Sequence, residues 1–287
     1  MTTSLLIRNV RPNAEPALDI LIENGRIARM AKDIAAPAGV TVEDGRGDIA
    51  IPGLVEAHAH LDKSLWGMPW YVNEVDPKLL DKIDNERESK RRLDLDPARQ
   101  SARQTVQSSM MGSTHTRSHV DVDTDLGLWG VEGIMKTRED YADIMDIELV
   151  AFPQSGLLRR PGTLELMHEA MKAGCEIVGG LDPCAIDRDP KGHLDAIFGL
   201  CQTYGRTLDI HLHEPGEMGL LSLELIIEST RALGMNGKVT VSHAFCLGTA
   251  PEPVDPVIAQ LADLDLAIMT TAPARNTAPA VKKRLDS

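Results

Sequence analysis

No run of about 18 consecutive apolar residues occurs in this 287-residue chain, and its opening, Met1-Thr-Thr-Ser-Leu-Leu-Ile-Arg8, lacks a basic segment followed by an apolar one. A transmembrane helix and a secretory leader are therefore not expected, and the chain reads as soluble and cytoplasmic. Basic residues are in deficit. The 30 Lys and Arg against 43 Asp and Glu give a formal net charge of -13, dispersed rather than blocked. That balance argues against nucleic acid or an anionic membrane as a partner. Only four cysteines occur, Cys175, Cys184, Cys201 and Cys246, with no C-x-x-C pair or disulfide-framework spacing, so reduced buried thiols are expected. Aromatic residues make up just 3% of the chain.

What is present falls into two rhythms. Residues 1–52 read as a small β-domain of short strands, Ser4–Val10, Ala17–Ile22, Arg26–Met30, Val40–Val42 and Asp48–Ile51, with Asn24-Gly25 as a hairpin turn. From residue 53 apolar strand candidates alternate with helical stretches. The strands are Leu54–Ala57, Thr114–Val120, Ile147–Phe152, Glu176–Leu181, Leu208–Leu212, Lys238–Ser242 and Leu264–Met269. The helices are Pro97–Met111, Trp129–Met145, Gly162–Ala173, Gly192–Tyr204, Met218–Leu233 and Val254–Leu261. Such alternation indicates a parallel sheet covered by helices. About seven units over residues 53–287 predict an incomplete (β/α)8 TIM barrel, ending on a helix at Ala280–Leu285 with no eighth strand after it. An open seam would expose a strand edge, and homo-oligomerisation across it is one way to cover that edge.

Polar residues gather where this fold carries its chemistry, at the C-terminal strand ends. His58 and His60 follow an apolar run two residues apart. Alternate residues of a strand share a face, so two neutral imidazoles would project together as half of a metal site. The second strand ends in Arg117, His119 and Asp121, the third in Gln154, the fourth in Asp182, the fifth in His211, His213 and Glu214, and the sixth in His243. Six of the nine histidines thus fall at strand ends. From spacing alone, His211 and His213 are equal contenders for third ligand. Glu214 beside a metal-activated water could shuttle its proton, or simply cap a helix, since Pro215-Gly216 follow. His243 could donate to a developing oxyanion or to the water, or be a buried hydrogen-bonded histidine. Gln154 offers an amide to a polar ring or to loop backbone, and Asp182, before Pro183, reads as the start of a turn. The loop Leu65–Tyr71 carries Trp66, Trp70 and Tyr71, placed either to stack on a flat heterocycle, with Trp66 as candidate, or to plug the loop. The fourth strand has no lysine that could bridge two metals after carboxylation, which favours one ion.

Pro52-Gly-Leu-Val-Glu-Ala-His-Ala-His60 with Leu61-Asp-Lys-Ser64 resembles the first-strand signature of the amidohydrolase superfamily, in its cytosine deaminase and N-isopropylammelide amidohydrolase-like branch. Ser118-His-Val-Asp-Val-Asp123, Ala151-Phe-Pro-Gln-Ser-Gly156, Val178-Gly-Gly-Leu-Asp-Pro183, Asp209-Ile-His-Leu-His-Glu214 and Ser242-His-Ala-Phe245 extend the match in the family's order. The resemblance implies one divalent ion, Zn²⁺ or Fe²⁺, on His58, His60 and His211. It also implies Glu214 as proton shuttle, His243 polarising water or substrate, and Lys63, Gln154 and His119 in or just behind the substrate pocket. The implied reaction removes an amino or alkylamino group from a small nitrogen heterocycle by attack of metal-bound hydroxide. A binuclear relative such as a dihydroorotase is disfavoured by the missing lysine.

One departure carries weight. The family's fourth ligand is an aspartate at the eighth strand end, and Asp286 follows the last predicted helix, where it cannot take that role. The alternative expectation is therefore a truncated, catalytically impaired or inactive metal-binding homologue.

Overall fold

Asn24 and Gly25 both adopt positive φ, 53° and 72°, between strands β2 (Leu18–Glu23) and β3 (Arg26–Ala31), whose ladder closes on Glu23 opposite Arg26. A two-residue loop with two left-handed residues matches the right-handed twist of its strands, which is why Asn-Gly is favoured there. The computed structural model describes residues 4–72, 74–75, 78–251 and 253–270. The chain divides into two compact units, Met1–Gly53 and Leu54–Ser287.

In the first unit β1 (Leu5–Pro12) pairs antiparallel with β2 and parallel with β4 (Thr41–Asp44), and β5 (Ile49–Ala50) joins the far end of β1. Its core is small, with Leu6, Leu21 and Ile34 packed against Ala31 and Val40.

Among its described residues the second unit holds seven parallel strands in consecutive order: β6 (Leu54–Ala59), β7 (Ser113–Asp121), β8 (Asp146–Phe152), β9 (Ile177–Leu181), β10 (Thr207–His211), β11 (Val239–Ser242) and β12 (Ala267–Met269). Helices between them are α1 (Leu79–Arg92), α2 (Pro97–Met110), α3 (Trp129–Asp140), α4 (Thr163–Ala173), α5 (Pro190–Tyr204), α6 (Gly216–Ala232), α7 (Cys246–Thr249) and α8 (Asp255–Asp263). Parallel neighbours need such crossovers. The sheet curls into a near-closed barrel: His58 on β6 and His243 just past β11 lie 4.8 Å apart, ring to ring. Among the described residues β6 and β12 form its edges, and the helix expected at 280–285 lies outside them, as does Asp286. Among those residues no helix is long and apolar enough to cross a membrane.

Local signals set the helix starts. Asp96 caps α2 by accepting from Arg99 N at 3.0 Å, with Pro97 at the first helical position, and Asp189 caps α5 through Gly192 N at 2.9 Å, ahead of Pro190. The central barrel strands β8 to β11 are buried on both faces, so Leu149, Val178, Ile210 and Val241 meet helix residues such as Ile134, Met167, Ile197 and Ile226 in one core. Each fully buried side chain of this kind stabilises by about 1.5–3 kcal/mol. Gly179 allows β9 to approach β8, since a Cβ there would lie 2.3 Å from the carbonyl oxygen of Ala151.

Helix α1 is absent from the pattern read in the sequence. Nine of its fourteen residues are charged, its apolar residues are Leu79, Leu80 and Ile83, and Lys78 gives it no side-chain cap. Ile83 nonetheless packs against Phe152, Leu181 and Ile186 at the barrel mouth. Helix α3 stops at Asp140, five residues short of its expected end.

Candidate metal and catalytic site

Four imidazoles converge at the strand ends. The ring of His58 lies 4.2 Å from His119 and 4.6 Å from His211, and His119 lies 4.5 Å from His211. His60 stands slightly further out, 5.3 Å from His58 and 5.5 Å from both His119 and His211. Phe152 stacks on His211 at 4.1 Å and holds that ring upright. Ligand atoms of His58, His119 and His211 all lie within 4.8 Å of one another. Among the described residues, the imidazole nitrogens that are buried without a hydrogen-bond partner are Nδ1 of His58 and both nitrogens of His119 and His211. Buried polar atoms are nearly always hydrogen-bonded, so this set of orphaned donors fits a divalent ion.

Burial keeps these rings neutral, the form that ligates. It pushes His58 down to about 3, aided by the neighbouring His119 ring, and His119 to about 3, aided by Arg117. His60 and His211 are lowered well below their ordinary range by the same burial. The Nδ1 of His60 faces the carbonyl oxygen of His119 at 3.1 Å. A carbonyl only accepts, so Nδ1 carries the proton and Nε2 is left as the available ligand atom, the arrangement typical of metal-binding histidines. His58, His60 and His211 line a cavity of about 370 Å³ together with His213, His243, Lys63 and Gln154. His119 is fully buried and does not line that cavity. Its Nε2 lies 3.8 Å from Asp209, which also binds Arg117 at 3.1 Å and Ser242 at 2.7 Å.

The fourth and fifth strand ends are tied together by Asp182. Its carboxylate accepts from the backbone N–H of His213 at 2.6 Å, from that of Glu214 at 3.2 Å, and from Nδ1 of His213 at 2.7 Å. Asp182 has φ 37°, His243 φ 75° and Ala244 φ 47°, left-handed values that non-glycine residues seldom take and that concentrate at functional sites. His243 stacks on His213 at 4.5 Å, and burial lowers its pKa to about 3. The sequence singled out Asp182 only as a turn; its pairing with His213 depends on two strands 30 residues apart.

Glu214 is buried, and its carboxylate is engaged away from the histidines. Oε1 accepts from Cys184 N at 2.9 Å and Ala185 N at 2.7 Å, and Oε2 accepts from the hydroxyl of Ser222 on α6. Burial raises its pKa despite these bonds. Lys63, on the short turn after β6, donates to Glu86 of α1 at 2.8 Å and lies 3.2 Å from Asp121. Lys90 of α1 also binds Asp121, and burial together with the Asp121 carboxylate pushes Asp62 up to about 7. Trp66 is 56% exposed and lies outside the histidine-lined cavity, as does the 92% exposed Trp70.

The amidohydrolase family model matches residues 41–286. The chain belongs to the amidohydrolase family. Among amidohydrolases of known structure it is similar to N-isopropylammelide isopropylaminohydrolase from Burkholderia multivorans, with 51% identity, a TM-score of 0.89 and coverage of 95% of this chain and 69% of that one. A 5-methylcytosine deaminase from Klebsiella pneumoniae, solved with 5-fluorocytosine, matches at 28% identity and a TM-score of 0.77 over 92% of this chain and 64% of that one. In sequence the chain is 30% identical over 260 residues to N-isopropylammelide isopropyl amidohydrolase from Pseudomonas sp. (strain ADP), 86% of this chain and 62% of that protein. The chain thus spans less than two thirds of that relative's length.

Proposed function

We propose that this amidohydrolase binds one divalent ion, Zn²⁺ or Fe²⁺, through His58, His60 and His211, and hydrolyses the exocyclic C–N bond of a small nitrogen heterocycle. The observation that carries the reading is that His58 and His211, with unpartnered buried nitrogens, line one cavity with His60, backed by relatives named for ammelide and cytosine substrates. An ion held there, when bound, acts as a Lewis acid and brings the pKa of water toward neutrality. The overall change adds water across the bond. Oxygen bonds to the ring carbon, the C–N bond breaks, and one proton moves to the departing nitrogen as ammonia or an amine leaves.

This chain's residues supply the rest. Lys63 and Gln154, on the cavity wall, hydrogen-bond ring heteroatoms and fix the orientation of the heterocycle. His213, with Nδ1 committed to Asp182, presents Nε2 to the cavity as an acceptor for the travelling proton. His243, stacked on it, donates to the developing oxyanion. Glu214 was expected as the shuttle. With both carboxylate oxygens engaged by Cys184, Ala185 and Ser222, it is assigned instead to anchoring the end of β10, and proton transfer passes to His213.

Metal analysis and amine release on the 287-residue chain test the reading. About one equivalent of metal per chain is expected, with ammonia released from cytosine or isopropylamine from N-isopropylammelide only by metal-loaded protein. A folded chain that takes up no metal, or loaded protein that releases neither, would overturn it.

A further inference from the structure

His193 sits in the first turn of α5 and is fully buried together with the carboxylate it faces, Asp187. Its Nδ1 lies 2.7 Å from an oxygen of Asp187, and its Nε2 accepts the backbone N–H of Leu181 at 3.3 Å. A carboxylate only accepts, so Nδ1 carries the proton. A ring that donates at Nδ1 and accepts at Nε2 is the neutral tautomer with both nitrogens in use. Gly180 makes room for it, since a Cβ there would lie 3.0 Å from Nε2.

Leu181 and Asp187 bound a strained segment. Leu181 closes β9, Asp182 follows at φ 37°, and one π-helical turn, Pro183–Asp187, leads into Arg188 at φ 57°. Turns of that kind are rare and gather at functional sites. Non-glycine residues in the left-handed region persist only where the surroundings over-determine them. The ladder between β8 and β9 reaches no further than Val178, and beyond it the N–H of Leu181 is taken by His193. What the segment gives the site lies between the two anchor points. The carboxylate of Asp182 holds His213, and the N–H groups of Cys184 and Ala185 hold Glu214.

We infer that His193 is a positioning residue: by joining Leu181 to Asp187 through one imidazole, it keeps Asp182 where it fixes the tautomer of His213. The inference rests on the hydrolytic reading above only for what His213 then does.

Two conservative variants each release one end. His193→Asn keeps an amide donor where Nδ1 stood and leaves the N–H of Leu181 unpaired. His193→Gln keeps an acceptor where Nε2 stood and leaves Asp187 without its donor. The readout is the nitrogen NMR spectrum of the imidazoles in the zinc-loaded full chain, which reports the tautomer of each ring without turnover. In the wild type both His193 and His213 are expected to carry the proton on Nδ1. The His213 signals are expected to move toward the opposite tautomer in His193→Asn, and less far in His193→Gln, because Leu181 adjoins Asp182 and Asp187 does not. In His193→Asn kcat is expected to fall about 10–10²-fold with KM within about twofold, as for a displaced group that does not bind substrate. A His213 spectrum unchanged in folded His193→Asn overturns the inference, as does a wild-type His193 with its proton on Nε2. If the His193 variants do not fold, Asp187→Asn, which leaves the imidazole in place, takes the decision: moved His213 signals support the inference and unmoved ones overturn it. Moved His213 signals in a chain whose wild type releases no amine would keep the positioning role and refute the hydrolysis; amine release with His213 unmoved would do the reverse.

Discussion

Asp182 holds Nδ1 of His213 at 2.7 Å across the ends of two neighbouring strands. That contact settles which nitrogen of a neutral His213 carries the proton, and so which one faces the cavity. Asp182→Asn puts an amide N–H or a weaker acceptor where the imidazole N–H needs a carboxylate, and the opposite tautomer becomes competitive. Turnover is expected to fall by about 10²-fold or more, on the scale of lost acid–base catalysis, with metal content unchanged. Steady-state rates alongside metal analysis check it, and equal loss of metal and rate would point to a merely structural role.

His60 and His119 separate on metal retention. His60→Asn is expected to bring the metal content well below one equivalent, because its Nε2 is the atom freed for ligation by the bond to the His119 carbonyl. His119→Asn is expected to weaken affinity about 10–100-fold, as loss of a group behind a ligand does, while retaining metal at saturation. Competition with a metal chelator distinguishes the two.

Glu214→Gln keeps an oxygen for the N–H groups of Cys184 and Ala185 and is expected to leave the rate within about tenfold, since acid–base catalysis is worth more than that. Glu214→Ala strands those donors and is expected to destabilise by about 1–3 kcal/mol, read from urea midpoints. His213→Asn is expected to lower kcat by about 10²–10⁴-fold. Abolished turnover in Glu214→Gln with fold and metal intact would return the proton shuttle to Glu214.

Asp187 gives the fold a pH-dependent contact outside the histidine-lined cavity. Burial raises its pKa, but His193 at 2.7 Å and the N–H groups of Leu158 and Arg159, both at 3.0 Å, outweigh burial and hold it below the usual 3.8. A carboxyl depressed in the folded state contributes stability that is complete above its unfolded value and is lost as pH falls through the folded one. Asp187→Asn is expected to lower stability by about 1–3 kcal/mol at pH 7. The gap between wild type and variant should stay level down to about pH 4 and narrow below it, as followed by urea denaturation at successive pH values.

The residues that carried the sequence reading furthest were those whose chemistry and spacing are local. Asn24-Gly25 fits one kind of hairpin, and the step of two between His58 and His60 places both on one strand end. The strand and helix alternation was legible because the central parallel strands are apolar on both faces. Helix α1 was not legible, since a helix fastened by Glu86, Arg87 and Lys90 to Lys63, Asp123 and Asp121 has no apolar period to read. The roles of Asp182 and Glu214 were hidden for another reason. Each is decided by which backbone N–H groups the neighbouring strand end presents, and that is a property of register, which no single segment contains.

Helix α1 leans on the barrel through one buried isoleucine, Ile83, and a handful of ion pairs, while the imidazoles are set by strand ends. The helix and the imidazoles rest on separate contacts, so charge substitutions along α1 are expected to loosen the cavity mouth while leaving the strand ends in register.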